Sequence, residues 1–236
     1  MKTMKSWMFA AILFCGTSMS AQAQDYYETK DEVAISIGSG ANSQILNAFS
    51  EMFGVMGEAL ISSMVTGGTY TGTTTYGNEK EIPAFSAEYF HHVSKMVSIG
   101  GIVGFNSYSK DMYFTWQKNN GDGSTSSKSK EKIGNAKKYY ATLMPAVKFD
   151  WVSKKNFGVY SKFALGITYM HEKEVQNKDE NNNNIGDKEV HSESKIMGNF
   201  QASLLGIEAG SQKIRAFAEA GIGEQGILLA GIRYKF

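Results

Sequence analysis

The sequence predicts an all-β chain, an antiparallel up-and-down barrel of eight strands that crosses a membrane, with a short amphipathic helix in its first outside loop. Three observations carry that prediction. Apolar residues occupy alternate positions through most of the chain. The connections between these alternating stretches are short and long by turns. The two clearest stretches bracket their apolar stripe with aromatic rings.

The chain opens on a targeting pattern. Lys2 and Lys5 precede the apolar run Trp7 to Cys15, and Ala21-Gln22-Ala23 offers small residues for cleavage. Residues 1–23 are therefore expected to be a signal peptide and 24–236 the barrel domain. The run is too short to span a bilayer as a helix. Cys15, the only cysteine, falls inside it, and the bulky Phe14 before it argues against a lipidated cysteine. The exported domain then has no thiol or disulfide chemistry. Lys and Arg total 24 against 23 Asp and Glu, so no basic excess points to nucleic acid. Frequent Gly, at 25, with only 2 Pro suits many regular strands.

The elements follow in chain order. Val33, Ile35 and Ile37 alternate with Ala34 and Ser36. Residues 44–65 change period: Ile45, Phe49, Met52, Met56, Leu60 and Met64 recur at helical spacing, opposite Asn47, Glu51, Gly54, Glu58 and Ser62. Asn42 or Ser43 suits the start and Gly67 the end of that helix. It is too polar to cross a bilayer and is expected to pack over the barrel mouth. Its functional readings are a lid over a ligand or a patch in the outer leaflet. Period 2 then returns. Phe85, Ala87 and Tyr89 alternate with Ser86, Glu88 and Phe90. Val97, Ile99, Val103 and Phe105 alternate with Ser98, Gly100, Gly104 and Asn106.

The fourth and fifth strands are the strongest. Tyr139, Ala141, Leu143, Val147, Phe149 and Trp151 share one face, opposite Lys138, Tyr140, Thr142, Lys148 and Asp150. Phe157, Val159, Phe163, Leu165, Ile167 and Tyr169 share the next, opposite Tyr160, Lys162, Ala164 and Thr168. Pro145 lacks an N–H for the ladder, so a bulge is expected there. Phe200, Ala202 and Leu204 form the sixth strand. Ile214, Ala216, Ala218, Ala220 and Ile222, alternating with Arg215, Phe217, Glu219 and Gly221, form the seventh. Leu228, Ala230, Ile232, Tyr234 and Phe236 form the eighth.

The connections at His92–Met96, Ser153–Asn156 and Gly210–Lys213 are tight, whereas Gly38–Pro83, Lys110–Lys137 and Glu172–Lys195 are long and polar. Glu224–Gly226 makes one last short turn. Membrane barrels pair short inner turns with longer outer loops in this way. Twelve residue steps at ~3.3 Å and a ~45° tilt rise roughly 28 Å, close to the ~25 Å apolar band of such barrels. Trp151, Phe157, Tyr234 and Phe236 are expected to form a lower aromatic girdle. Tyr139, Tyr169 and Phe105 are expected to form an upper one.

With these residues in view, the chain resembles the small eight-stranded outer-membrane barrels of Gram-negative bacteria, such as OmpX, OmpW and the OmpA transmembrane domain. The resemblance covers the whole mature chain as architecture. Its most specific element is the ending Gly231-Ile232-Arg233-Tyr234-Lys235-Phe236. Gly231, Tyr234 and Phe236 look like the C-terminal signal read by the barrel-assembly machinery, although Leu229 stands where a polar residue is often found. The resemblance implies export to the outer membrane, contact with lipid and lipopolysaccharide, and a monomer.

Eight strands enclose an interior just wide enough for side chains to fill, which argues against a general porin. The inward set includes Glu88, Lys148, Asp150, Lys162, Arg215, Glu219 and Arg233, expected to neutralise one another in a network that plugs the lumen. A gated narrow conduit is the rival reading. Lys110, Lys118, Lys128, Lys130, Lys132 and Lys137 make the second outside loop basic, suited to lipopolysaccharide phosphates or simply to water. Asp179 to Asn184 fails the calcium-loop frame, because the sixth position is Asn184 rather than Gly. His91 and His92 point to opposite faces, so no metal is expected there. His171 and His191 lie in one polar outer loop, no Ser is placed beside a His on a membrane-facing strand, and no catalytic residue or cofactor is assigned. Three functions remain open. They are a non-enzymatic structural or surface-interaction barrel with a filled lumen, a narrow barrel that binds or passes a small apolar ligand beneath the helix, and a soluble periplasmic ligand-binding barrel.

Overall fold

Strands β1 (Asp31–Ser39), β2 (Tyr70–His92), β3 (Val97–Asn119), β4 (Thr125–Ser153), β5 (Phe157–Asn177), β6 (Lys188–Gly210), β7 (Ile214–Gly223) and β8 (Leu228–Lys235) close into one antiparallel barrel in chain order. One helix, α1 (Asn42–Val65), joins β1 to β2. The computed structural model describes residues 29–120, 125–177 and 188–236. The expected signal peptide and the run Asp179 to Asn184 lie outside the described residues. Closure is made by β1 and β8, where Ile35 faces Ile232 on one side and Ala87 of β2 on the other. No backbone edge is left in the wall.

The strands differ in height. β1, β7 and β8 hold 9, 10 and 8 residues, enough for the wall alone. β2 to β6 are much longer, with 29 residues in β4. The long polar loops expected at Lys110–Lys137 and Glu172–Lys195 are strand wherever they are described except at Asn120, and Gly38–Pro83 is mostly α1 followed by the start of β2. Five strands rise past the rim as a curved sheet. β-branched stretches such as Thr73-Thr74-Thr75 support it. This extension carries no continuous apolar stripe on its outer side, so period 2 does not mark it in the sequence. Asn78, the one described non-glycine at positive φ (50°), sits at a register shift in β2 and donates to Asp111 Oδ2 at 2.9 Å.

The bulge expected at Pro145 does not form. The β3–β4 register runs unbroken past Gly101 and Pro145. On the other side, pairing stops at Leu143–Ile167 and resumes in the same register at Ala146–Ala164. The missing N–H is absorbed as a gap in the ladder. Gly166 allows it, because a Cβ there would come within 2.1 Å of the Leu143 carbonyl. The shift in this hairpin lies instead between Asp150 and Val152. A second bulge, at Leu204 and Leu205 of β6, turns both side chains outward and reverses the parity of all that follows.

Candidate functional site: the charged lumen and the helix above it

Side chains divide sharply between the two faces of the wall. Leu165 is 72% exposed and Leu143, Val103, Ile35 and Ile232 are also exposed on the outer face, while Lys148 and Lys162 are 0% exposed inside. That is the inverse of a soluble ligand-binding barrel, whose interior is apolar. Rings gather at both ends of the outer stripe. Tyr234 stacks on Phe236 at 5.8 Å and Phe149 on Trp151 at 6.1 Å, near the exposed Phe157. Phe105 and Tyr169 flank Ala141 at one level near the rim, with Tyr139 just above.

The lumen holds all seven charged residues named from the sequence, and four more ionisable groups join them. Alternation carries Glu32 inward from β1, Glu88 and His92 from β2, Lys148 and Asp150 from β4, Lys162 from β5, Arg215 and Glu219 from β7, and Arg233 and Lys235 from β8, and the β6 bulge brings in Glu208. Five carboxylates meet five lysines and arginines. Lys148 binds Glu32 and reaches Asp150 at 3.3 Å. Lys162 bridges Glu88 at 2.5 Å and Glu219 at 2.9 Å. Arg233 is the hub. It binds Glu208 at 2.6 Å, donates to the Tyr160 hydroxyl at 3.3 Å, and lies between the Tyr160 and Phe217 rings. Arg215 and Lys235 share Glu208, each at 2.5 Å. His92 joins through Glu32 at 3.4 Å and Ser98 at 2.9 Å. Burying charge is tolerable only when every ion is matched, and here the two signs balance.

Glu32 sits one step before the apolar stretch that marked β1, whereas Lys235 lies within the eighth stretch, between Tyr234 and Phe236, on the face of Arg233. Glu208 is hidden differently. Carrying the Phe200, Ala202, Leu204 alternation forward puts it on the outer face, and only the Leu204–Leu205 bulge turns it in. Gly231 is held by geometry, since a Cβ there would lie 2.3 Å from the Ile35 carbonyl and strike the Phe217 ring.

The rim is closed by a second polar cluster that the sequence did not announce. Glu224, in the β7–β8 turn, accepts from the Ser43 N–H at 3.1 Å, the Ser43 hydroxyl at 2.8 Å and the Asn106 amide at 3.1 Å. A buried carboxylate thus caps the first turn of α1. Below it, a cavity of about 10 Å³ lined by Ser86, Asn106 and Gln225 has room for about one water.

Above the rim α1 runs along the free edge of β2, which β1 is too short to cover. Glu51 binds Lys110 of β3, Glu58 accepts from the Thr74 N–H at 2.7 Å, and the Ser62 hydroxyl bonds Gly72. At the tip the Asn119 amide donates to the Gly68 carbonyl at 2.6 Å. The helix was expected to pack over the mouth; its contacts with the sheet are made by Glu51, Glu58 and Ser62, and Met52, Met56, Leu60 and Met64 are exposed. The reason lies in what the sheet offers, a buried Lys110 with Tyr76 beneath its ammonium at 3.4 Å. Burial pushes Lys110 down, opposed by its bond to Glu51. Burial, then the Glu51 charge, push the Tyr76 phenol up to about 12. Lys110 is therefore not part of a solvated basic loop, and Lys132 pairs with Asp111 at 2.8 Å.

Chemistry is sparse elsewhere. His91 turns outward to Asp31 at 2.9 Å while His92 turns inward, and no metal-binding group occurs among the described residues. A Ser does lie beside a His. His171 Nδ1 is 2.9 Å from Ser194 Oγ, and Ser192 Oγ is 3.5 Å from Nε2. The set is exposed, and among the described residues no carboxylate bonds the ring, so no nucleophile–base–acid relay is completed.

No family model matches the chain, and no curated protein matches it. Among solved structures it is similar to the crystal structure of Ail, the attachment invasion locus protein of Yersinia pestis, with 10% identity and a TM-score of 0.40 over 89% of this chain and 100% of that one. A likeness at that level adds nothing to the barrel itself, whose closure is seen directly in the strand pairing.

Proposed function

We propose that the chain is an integral outer-membrane β-barrel without enzymatic activity, exported on residues 1–23, with a sealed lumen and a structural or surface-interaction role carried by its outside extension. The inversion of polarity across the wall carries this reading. Leucines and isoleucines facing outward at this density are stable against hydrocarbon and costly against water. The ion network plugs the lumen and pins strand register, because a one-residue slip would drive charges into lipid. The exposed rings of Tyr234 and Phe236 suit the terminal assembly signal, and exposed lysines such as Lys137 and Lys173 suit lipopolysaccharide phosphates.

Fractionation and conductance test this together. The full chain is expected to sediment with outer membranes, to migrate differently on gels before and after boiling, and to give no regular conductance steps in planar bilayers. A soluble, boiling-insensitive protein would overturn the location. Uniform channel steps would overturn the sealed lumen.

A further inference from the structure

The exposed face of α1 is the feature that a sealed barrel leaves unused. The helix carries only two charged residues, Glu51 and Glu58, and both bond the protein's own sheet. What remains outside is an uncharged surface of Met52, Phe53, Met56, Leu60, Ile61 and Met64, each between half and four-fifths exposed. The helix stands upright. Its first turn is tied at the rim to Glu224 and its end at the sheet tip to Asn119, a span of about 36 Å for 24 residues. Most of this face therefore stands above the bilayer, where lipid cannot cover it.

We propose that this face pairs with the same face of a second copy of the chain, making a two-fold dimer whose axis runs along the membrane normal. Three properties of the face favour a second copy, and its area sets how much more surface the contact needs. Glycines Gly54 and Gly57 open notches where a Cβ would meet nothing within 4 Å, beside the projecting Phe53, Leu60 and Met64. Knobs and holes on one surface are what an isologous contact needs. Phe53, Gly57, Leu60 and Met64 recur at steps of four, three and four, the spacing of a helix seam. Two barrels in one membrane share orientation, so their helices meet in parallel at equal height. Finally, six such side chains at on the order of 100 Å² each supply roughly 600 Å², somewhat short of the ~800 Å² per partner of a stable interface. The flank below can add the rest. There an apolar groove of about 630 Å³ lies between Ile35, Ile37, Phe85, Val103, Phe105 and Ile232, on the wall from which β1 leads into α1. The monomer expected from the sequence leaves both surfaces without a protein partner.

The inference rests on the membrane reading, and the experiment separates the two. In a Cys15→Ser background, which removes the only cysteine, Phe53→Cys, Leu60→Cys or Met64→Cys is introduced singly and oxidised in isolated outer membranes. Lys173→Cys, exposed on β5, is the control. Each helix variant is expected to give at least tenfold more disulfide dimer than the control. Adding Leu60→Glu with Met64→Glu to the Phe53→Cys chain should remove that excess, since both positions are exposed and the fold, followed by heat-dependent mobility, is untouched. Absence of dimer in a membrane-bound, heat-modifiable chain overturns the pairing alone. Equal dimer from Lys173→Cys, or dimer that survives the two glutamates, overturns it too. Loss of membrane association overturns the reading beneath it.

Discussion

The lower and upper halves of this molecule are built from the same strands under opposite rules. In the wall, β1 to β8 turn apolar residues out and enclose ten charges in pairs and triplets. Past the rim, β2 to β6 continue without a greasy outer stripe, and the free edge of β2 takes a helix through Glu58 and Ser62. The difference teaches that polarity in this fold is set by what lies on each side of the sheet, since the backbone ladder is indifferent to it. Where the outer face is apolar the charges are enclosed. Where it is not, ion pairs such as Lys132–Asp111 reach the surface.

The largest test of that contrast removes one charge from each half. Arg233→Ala leaves Glu208 and its neighbours short of a cation in a sealed interior, and should lower stability by about 3–5 kcal/mol. Lys132→Ala, breaking an exposed pair in the extension, should cost about 1 kcal/mol or less. Urea unfolding followed by gel mobility reads both. Equal effects would mean that the lumen is wetter than its burial implies.

Adding a charge is the converse. Leu165→Arg puts a guanidinium on the outer face near the middle of the apolar band, where about 2–4 kcal/mol is expected. Val190→Arg, on the exposed part of β6 beyond the rim, should stay within about 0.5 kcal/mol. The same unfolding measurement applies, and a matching loss at both sites would erase the distinction between the halves.

How much of this was legible follows the same divide. Where the outer face is greasy, as at Val33 to Ile37 or Phe157 to Tyr169, alternation marked the strands and their inward charges. Residues 70–82 and 108–119 lack that face, so nothing periodic distinguished strand from loop. Glu208 was lost to a parity change at a two-residue bulge whose local sequence, Leu204-Leu205, is apolar throughout. The helix was visible by its period, but its orientation was not. An amphipathic helix normally buries its apolar face, and only knowledge that Lys110 waits on the sheet would have turned it round. Glu224 was beyond reach, because its partner Ser43 lies 181 residues away in sequence.

That contact is where the two halves are joined, and it gives the smallest and most local test. Glu224 belongs to the short β7–β8 turn of the wall, yet its carboxylate caps a helix of the extension. Glu224→Ala removes an acceptor from Ser43 and Asn106 and should loosen the start of α1 by about 1–2 kcal/mol. Glu224→Gln keeps an oxygen and loses the charge at the helix N-terminus, so about 0.3–1 kcal/mol is expected. Neither touches the ion network centred on Arg233. Heat-dependent mobility should therefore stay as in the parent, while chymotrypsin cleavage at Phe53 and Leu60 should quicken, more for Ala than for Gln. Cleavage at the parent rate in both variants would show that the sheet alone holds the helix through Glu51, Glu58 and Ser62. A shifted melting of the whole barrel would show instead that wall and extension fold as one cooperative unit.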